Sequence, residues 1–217
     1  MCYNNGMDVL DFTNTAEIMG MLRTRLTPVE QAGSLIDRVE GHQQHARLAA
    51  VLLPFFVEDG LLQLALIRRA STLRAHSGEI AFPGGKVDAT DTSMVITALR
   101  EAYEEIGLHP ARVEALGVLP PVFTVVSNYL ITPVVGYLPQ GLGSLLLQKS
   151  EVDELLCVSL ARLADPAIAH TELWTRDGRT RTVYFYDYDQ YRIWGATGRI
   201  LSSLFELLKQ EDAPPVG

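Results

Sequence analysis

Three glutamates stand close together in one short stretch of the chain. Glu101, Glu104 and Glu105 lie at positions i, i+3 and i+4, so on a helix their carboxylates share one face within about one turn. No lysine occurs between Lys86 and Lys149, and the sequence shows no local cation that would offset their repulsion. Converging carboxylates suit a hard divalent cation such as Mg²⁺ or Mn²⁺, which prefers oxygen ligands and keeps bound water.

The simpler alternative for these glutamates is an exposed acidic face on an amphipathic helix. For an isolated Glu-x-x-Glu-Glu this would be the better interpretation, but the flanking residues favour a metal site. Gly107 is placed to end the helix, and the opposite face is apolar, with Ala98, Leu99, Ala102 and Ile106. Ahead of the helix, Gly84 and Gly85 allow an unusual backbone path, so a carbonyl near Gly85 could turn toward the same ion.

The elements that must position these residues alternate between strands and helices. Asp59 and Gly60 separate two apolar runs and predict a hairpin. Thr27 and Pro28 predict a helix start, with Thr27 as the cap and a helix that runs to about residue 40. Further elements are predicted as strands at 115–119, 130–137 and 182–186 and as helices at 91–106 and 197–209. Strands interleaved with helices predict an α/β (α+β) fold with a mixed sheet covered by helices.

Length and charge restrict the class of protein. At 217 residues the chain is expected to form a single domain over 1–217, with a core at about 46–209 and an N-terminal helical extension at about 1–45. A net charge of −8 argues against a nucleic-acid surface. Apolar runs such as 51–57 fall well short of the ~20 residues that a membrane span needs. With no secretory signal and only Cys2 and Cys157, a cytoplasmic location is the expectation.

The stretch from Arg100 to Leu108 resembles the second half of the Nudix box, and Gly85 resembles its opening glycine. Nudix hydrolases cleave nucleoside diphosphates linked to another moiety, and the resemblance implies a Nudix-like α/β/α sandwich with a mixed β-sheet. The sequence departs from the Nudix box in one place. The glutamate expected six residues after the glycine is Asp91, and one extra residue separates it from Arg100. Asp88 and Asp91 are therefore both candidates for the partner of Arg100.

Residues 73–88, Leu-Arg-Ala-His-Ser-Gly-Glu-Ile-Ala-Phe-Pro-Gly-Gly-Lys-Val-Asp, resemble the signature of the coenzyme A pyrophosphatase subfamily. Looser likeness continues at 132–136, 151–154 and 194–197. The resemblance implies metal-dependent cleavage of coenzyme A or acyl-CoA to 4′-phosphopantetheine, or its acyl form, and adenosine 3′,5′-bisphosphate. It also implies a possible homodimer. The alternatives are a Nudix pyrophosphatase for ADP-ribose or a dinucleotide, and a non-catalytic Nudix-like nucleotide-binding regulator.

The resemblance also suggests roles for individual residues of the glutamate helix. Glu101, Glu104 and Glu105, together with Gly85, are expected to bind the metal, and the least committed glutamate could act as general base. Arg100 is expected to orient a carboxylate through its planar guanidinium. Glu151 and Glu154 are candidates for an additional base or metal ligand.

Substrate contacts are expected from four basic or titratable side chains that fall within nine residues of this acidic chain: Arg68, Arg69, Arg74 and His76. Arginine pairs bidentately with phosphate oxygens, so the group could cradle the phosphates of a CoA-like nucleotide, including the 3′-phosphate. The alternative is a strand edge and loop made soluble by arginine.

Overall fold

The computed structural model describes residues 10–37, 45–73, 76–176 and 178–210. Five α-helices occur in this part of the chain: α1 (Thr15–Arg25), α2 (Ala32–Asp37), α3 (Met94–Ile106), α4 (Leu160–Leu163) and α5 (Gly195–Leu208). The strands are β1 (Arg47–Glu58), β2 (Leu61–Arg69), β3 (Ile80–Ala81), β4 (Gly84–Lys86), β5 (Glu114–Val118), β6 (Val122–Thr124), β7 (Tyr129–Tyr137), β8 (Val152–Ser159), β9 (Ala169–Arg176), β10 (Arg179–Tyr188) and β11 (Tyr191–Ile193).

An eight-stranded mixed sheet forms the centre of the fold. Its main path runs β3-β2-β1-β7-β5, while β4 pairs with β1, β6 with β7 and β8 with β2. Strands β1 and β7 are parallel, and β1 is antiparallel to β2 and β4. The predicted hairpin between β1 and β2 is confirmed, since Asp59 and Gly60 both have positive φ, 51° and 78°.

Helices cover both faces of this sheet. On one face, α3 packs against β1 and β7 through a cluster of buried residues that includes Ala98, Ala102, Ile106, Ala50 and Val134. On the other face, α1 and α5 bury a second set, which includes Ile18, Leu22, Phe55, Leu64 and Leu204. The predicted α/β/α sandwich with a mixed sheet is therefore confirmed.

The helix with the three glutamates starts later than predicted. Ser93 is its N-cap, and the Ser93 hydroxyl accepts a hydrogen bond from the Ile96 N–H at 3.2 Å, so the helix begins at Met94 and not at residue 91. Its end is as predicted. Gly107 adopts the left-handed conformation, with φ at 70°, and its N–H bonds to carbonyls of the last turn.

The N-terminal part differs from the predicted helix. Pro28 precedes a short 3₁₀ turn at Val29–Gln31, and α2 follows it. Thr27 is not a helix cap, because its backbone pairs with Val118 at 2.8 and 3.2 Å. The rest of the predicted helix, from 38 to 40, lies outside the described residues.

Helix α1 lies within the predicted helical extension, for which no helix bounds were predicted. Within the described ranges, none of the helices has the length and hydrophobicity that a membrane-spanning helix requires.

A second sheet, of three strands in the order β11-β10-β9, lies against α5. The helix approaches β10 closely at Gly198, where any Cβ would overlap the Tyr184 carbonyl oxygen. A hydrogen bond from the Thr197 hydroxyl to the Ile80 carbonyl, at 3.0 Å, ties the start of α5 to β3. The start of α5 is therefore fixed against both sheets.

We predict that Gly198→Ala destabilises the protein by about 1 to 3 kcal/mol, because the added methyl group must displace backbone in a packed contact. The matched control is Gly20→Ala inside α1, where a Cβ meets nothing within 4 Å. Alanine there should stabilise the protein by up to about 1 kcal/mol through helix propensity. Urea unfolding of the two variants measures both effects. Equal stability of Gly198→Ala and the wild type would contradict the close approach.

Candidate active site

Glu105 is the most deeply buried of the three glutamates, with a side chain that is 3% exposed. Its carboxylate accepts a hydrogen bond from the Gly84 N–H at 2.8 Å and lies 3.6 Å from Nη1 of Arg69. Burial raises the pKa of Glu105 to about 7, and the negative charges of Glu101 and Glu151 act in the same direction. The Gly84 N–H and the Arg69 guanidinium oppose this rise without cancelling it.

Glu101 lies one helical turn earlier and packs against Gly84 and Gly85 at the start of β4, which we call the glycine loop. A Cβ on Gly85 would fall 2.5 Å from the Glu101 carboxyl carbon, so the carboxylate occupies space that only glycine leaves open. Burial raises the pKa of Glu101, while hydrogen bonding to Arg100 opposes the rise. Two partly desolvated carboxylates therefore face the β4 segment from α3.

Arg100 connects several acceptors at this end of the site. Its Nε and Nη2 donate to the two oxygens of Asp91 at 3.0 and 2.8 Å, and Nη2 also donates to the Lys86 carbonyl at 3.0 Å. Its Nη1 donates to Glu101 at 3.0 Å and to Glu104 at 3.2 Å. Hydrogen bonding to Arg100 holds the pKa of Asp91 well below its ordinary value.

These contacts show which of the two candidates, Asp88 or Asp91, is the partner of Arg100. Arg100 pairs with Asp91, whereas Asp88 accepts hydrogen bonds from Thr90 and donates its own N–H to Asp91 at 2.9 Å. The expectation that no cation stands next to the glutamates is wrong, because Arg100 itself pairs with two of them. A residue that the sequence did not single out, Thr97, is buried and donates its hydroxyl to Asp91 at 2.9 Å.

The three glutamates are not equivalent. The side chain of Glu104 is 57% exposed, against 16% for Glu101 and 3% for Glu105. Positions i and i+4 of α3 face the glycine loop, while position i+3 lies at the solvent edge beside Arg100. The carboxylates therefore form a buried pair with one exposed neighbour.

Glu151 and Glu154 lie in different surroundings. Both carboxylate oxygens of Glu154 are engaged, one by Nε of Arg68 at 3.0 Å and the other by the Tyr191 hydroxyl at 2.7 Å. The charge of Glu151 instead raises the pKa of both Glu101 and Glu105, so its carboxylate lies within electrostatic range of the buried pair. The contact from Tyr191 could not be foreseen, since β11 is remote in sequence.

The loop that precedes Glu151 is bonded to the last turn of α3. The Leu146 N–H donates to the Ile106 carbonyl at 3.2 Å, and the Gln148 N–H donates to the Glu105 carbonyl at 2.9 Å. These two bonds use carbonyls at the helix end that have no partner within the helix. They also connect Glu151 to the backbone of Glu105 through only a few residues.

Three of the four expected substrate-binding residues are described by the structure, and each has a different partner. Arg69 lies beside Glu105, and its buried Nε has no hydrogen-bond partner in the described structure. Arg68 pairs with Glu154, and the register of β2 with β8 shifts between the two arginines. The His76 ring pairs with Glu79 at 2.9 Å. Arg74 lies outside the described residues.

The side chains at this site suit a hard cation in their chemistry. Glu101, Glu105 and Glu151 supply carboxylate oxygens, and Gly85 leaves room beside Glu101. The charge of Glu151 contributes to the raised pKa values of Glu101 and Glu105. Within the described ranges, however, no three His, Cys, Asp or Glu side chains lie close enough to share one ion. Binding a cation would therefore require the carboxylates to draw together around it.

Comparison with known proteins supports the family. Residues 46–180 match the NUDIX domain model. The Nudix hydrolase NudL of Photorhabdus laumondii is 43% identical over 158 residues, which cover 73% of this chain and 83% of that protein. NudL of Escherichia coli is 42% identical over 160 residues, which cover 73% of this chain and 81% of that protein.

Solved structures with a similar fold are more distant. An Ap4A hydrolase of C. elegans has a TM-score of 0.44 and 17% identity, covering 52% of this chain and 80% of its own. The NUDIX domain of Shewanella oneidensis NrtR, complexed with ADP ribose, has a TM-score of 0.43 and 20% identity, covering 59% and 83%. These scores are too low to add to the assignment, which rests on the domain match and the NudL relatives.

The domain match spans the glycine loop, α3 and Glu151, which are the segments that bring the buried carboxylates together. The chain therefore belongs to the NUDIX domain family, whose hydrolases act on nucleoside diphosphate derivatives.

Proposed function

We propose that the protein hydrolyses the diphosphate of coenzyme A or acyl-CoA, with Mg²⁺ or Mn²⁺ as the metal. The products are 4′-phosphopantetheine, or its acyl form, and adenosine 3′,5′-bisphosphate. The observation that carries the proposal is the buried pair Glu101 and Glu105, packed on the glycine loop and within range of Glu151. Burying carboxylates is unfavourable for folding, so their retention here points to a role in binding or catalysis.

Each group at the site has a role in this proposal. Glu101 and Glu105 are the central metal ligands, the Gly85 carbonyl is a further ligand, and Glu104 contributes from the solvent edge. A bound divalent cation neutralises charge on the phosphoryl oxygens and lowers the pKa of a water. Arg100 acts as a positioning residue, because its bonds to Asp91 hold its guanidinium against Glu101.

Glu151 is the proposed general base. It takes a proton from the attacking water as the new bond to phosphorus forms and the bond to the bridging oxygen breaks. Glu154 is less suited to this role, since Arg68 and Tyr191 already occupy its oxygens. Arg69 is the proposed contact of a phosphate beside Glu105, through the Nη1 end of its guanidinium.

The choice of coenzyme A within the family rests on the likeness of residues 73–88 to the coenzyme A pyrophosphatase signature. That segment contains Gly84 and Gly85, which contact Glu105 and Glu101. Arg68, Arg74 and His76 belong to the same region and are the proposed contacts of the 3′-phosphate. The presence of all box carboxylates argues against a non-catalytic regulator.

A substrate panel tests the proposal. The purified protein is incubated with Mg²⁺ or Mn²⁺ and coenzyme A, an acyl-CoA, dephospho-CoA, ADP-ribose or a dinucleotide, and the products are identified by mass. We expect the highest kcat/KM for coenzyme A or acyl-CoA, with adenosine 3′,5′-bisphosphate as a product. A higher value for ADP-ribose or the dinucleotide would reject the substrate class, and no hydrolysis of any compound would reject the enzyme.

Glu105→Gln should abolish turnover and stabilise the metal-free protein above pH 7. Glutamine keeps the shape and can still accept from the Gly84 N–H, but it removes a buried charge. The pKa of Glu105 is raised from 4.5 to about 7 in the folded state, so the wild type loses stability as the pH rises through that range. The gain for Glu105→Gln should reach on the order of 3 kcal/mol at pH 8 and disappear below pH 4.5.

Urea unfolding with a chelator present, at pH 4 and pH 8, measures this difference. Glu114→Gln is the matched control, because Glu114 is half-exposed and its pKa is lowered by a hydrogen bond to Arg23. That variant should gain no stability at pH 8. Full turnover by Glu105→Gln would show that catalysis does not require the Glu105 carboxylate.

The pair Glu151→Gln and Glu154→Gln separates the two candidate bases. We expect kcat to fall about 10²- to 10⁴-fold for Glu151→Gln, the usual range for loss of a general base. Glu154→Gln should lower kcat less than about tenfold, since it removes a contact to Arg68 and Tyr191 and not the base. Steady-state kinetics with saturating metal give both values. The reverse order would transfer the role to Glu154.

A further inference from the structure

Tyr191 brings the three-stranded sheet into contact with the pair formed by β2 and β8. Its hydroxyl donates to one oxygen of Glu154 at 2.7 Å, and the other oxygen accepts from Nε of Arg68 at 3.0 Å. Arg68 and Glu154 are also direct partners in the register of β2 with β8. The three side chains therefore form a continuous line of hydrogen bonds from β11 through β8 to β2.

Arg68 lies on the side of the eight-stranded sheet that α5 covers. Side chains alternate between faces along a strand, and Leu66, two residues earlier, packs in the same cluster as residues of α5. Arg69 instead lies beside Glu105 of α3. The two arginines therefore lie on either side of the end of β2, and only one of them is next to the buried carboxylate pair.

The backbone around Arg68 is also connected to α5. Arg68 is paired with Ile80 of β3, and the Ile80 carbonyl accepts the hydrogen bond from the Thr197 hydroxyl at the start of α5. Strand β11 directly precedes this start and lies against β3. Tyr191 and Arg68 therefore belong to one connected region, so a hydroxyl on β11 can fix the position of a side chain on β2.

The outer end of the Arg68 guanidinium is open. The side chain is 39% exposed, and its two outer nitrogens have no hydrogen-bond partner among the residues that the structure describes. A planar guanidinium with both outer N–H groups free can bind two oxygens of one phosphate. Glu154 occupies only Nε, so it fixes the plane of the guanidinium and leaves the outer nitrogens available.

Tyr191 also keeps Glu154 away from those outer nitrogens. Carboxylates readily pair with both outer nitrogens of an arginine, and the charge of Glu154 there would repel a phosphate. Because the Tyr191 hydroxyl holds one oxygen of Glu154, the carboxylate stays on the Nε side. Removal of the hydroxyl would release Glu154 to compete with the phosphate for Arg68.

We propose that Tyr191 is a positioning residue for substrate specificity, which through Glu154 holds Arg68 in place to bind a phosphate monoester that lies apart from the diphosphate of the nucleotide. The identity of this group rests on the proposed function, in which it is the 3′-phosphate of coenzyme A. The three-stranded sheet then contributes to the selection of coenzyme A over dephospho-CoA, which lacks this phosphate. Tyr191 has no part in breaking the diphosphate bond.

Steady-state kinetics with coenzyme A and dephospho-CoA test the proposal, since the two compounds differ only in the 3′-phosphate. The wild type should have the higher kcat/KM for coenzyme A. Tyr191→Phe should raise the KM for coenzyme A about three- to tenfold, the usual effect of losing one hydrogen bond, and change kcat and the KM for dephospho-CoA less than about twofold.

Tyr188→Phe is the matched control. Tyr188 is the direct partner of Tyr191 in the pairing of β10 with β11, and its hydroxyl has no hydrogen-bond partner in the described part of the chain. That variant should keep both KM values. A second control introduces Tyr191→Phe into Glu154→Ala, where it should have no further effect, whereas a purely structural role of Tyr191 would persist there.

Binding of adenosine 3′,5′-bisphosphate and of AMP, measured by calorimetry without turnover, separates this proposal from the proposed function. The wild type should bind the bisphosphate more tightly, and Tyr191→Phe should lose most of that difference. This result without hydrolysis of coenzyme A would reject the proposed function and leave the phosphate contact standing.

Three results would overturn the proposal. One is a wild type that does not distinguish ligands with and without the 3′-phosphate. Another is a Tyr191→Phe variant that keeps the full wild-type preference in both assays. The third is an equally large effect of Tyr191→Phe in the Glu154→Ala background, because Tyr191 would then not act through Glu154.

Discussion

The guanidinium of Arg100 offsets the repulsion between the carboxylates at the acidic end of α3. Burial brings Glu101 into a site where a second carboxylate, Glu105, is only one turn away, and both are desolvated. Arg100 donates to Glu101 and Glu104, while its other two nitrogens are bound by Asp91. The Asp91 pair fixes the plane of the guanidinium, so its remaining donors point at the glutamates. The Thr97 hydroxyl, which also contacts the Ser93 carbonyl, in turn donates to Asp91 and holds it at the start of the helix.

The local features of the site could be predicted from the sequence because they depend on short-range geometry. The spacing of Glu101 and Glu105 fixes their common face on any helix. The helix end and the hairpin could be predicted because Gly107, Asp59 and Gly60 adopt backbone conformations that few other residues adopt. The mixed sheet followed from alternating strands and helices.

Features that depend on contacts remote in sequence could not be predicted. The separation of Arg68 from Arg69 arises where the pairing of β2 with β8 shifts, and no local pattern marks that shift. Glu154 is engaged by Tyr191 from a strand nearly forty residues later. Thr27 has the residue type of a helix cap, but pairing with Val118 takes its backbone instead. In each case a tertiary contact overrode the local preference.

The loop bonded to the end of α3 has a mechanical consequence. The Glu105 side chain faces the glycine loop, while its own carbonyl is held by the Gln148 N–H, three residues before Glu151. A proposed metal ligand and the proposed base are thus joined by one backbone hydrogen bond and a tether of three residues. A displacement of the last helical turn carries the loop with it. The end of α3 and the segment that carries Glu151 are therefore coupled through the backbone, so a shift of one is transmitted to the other.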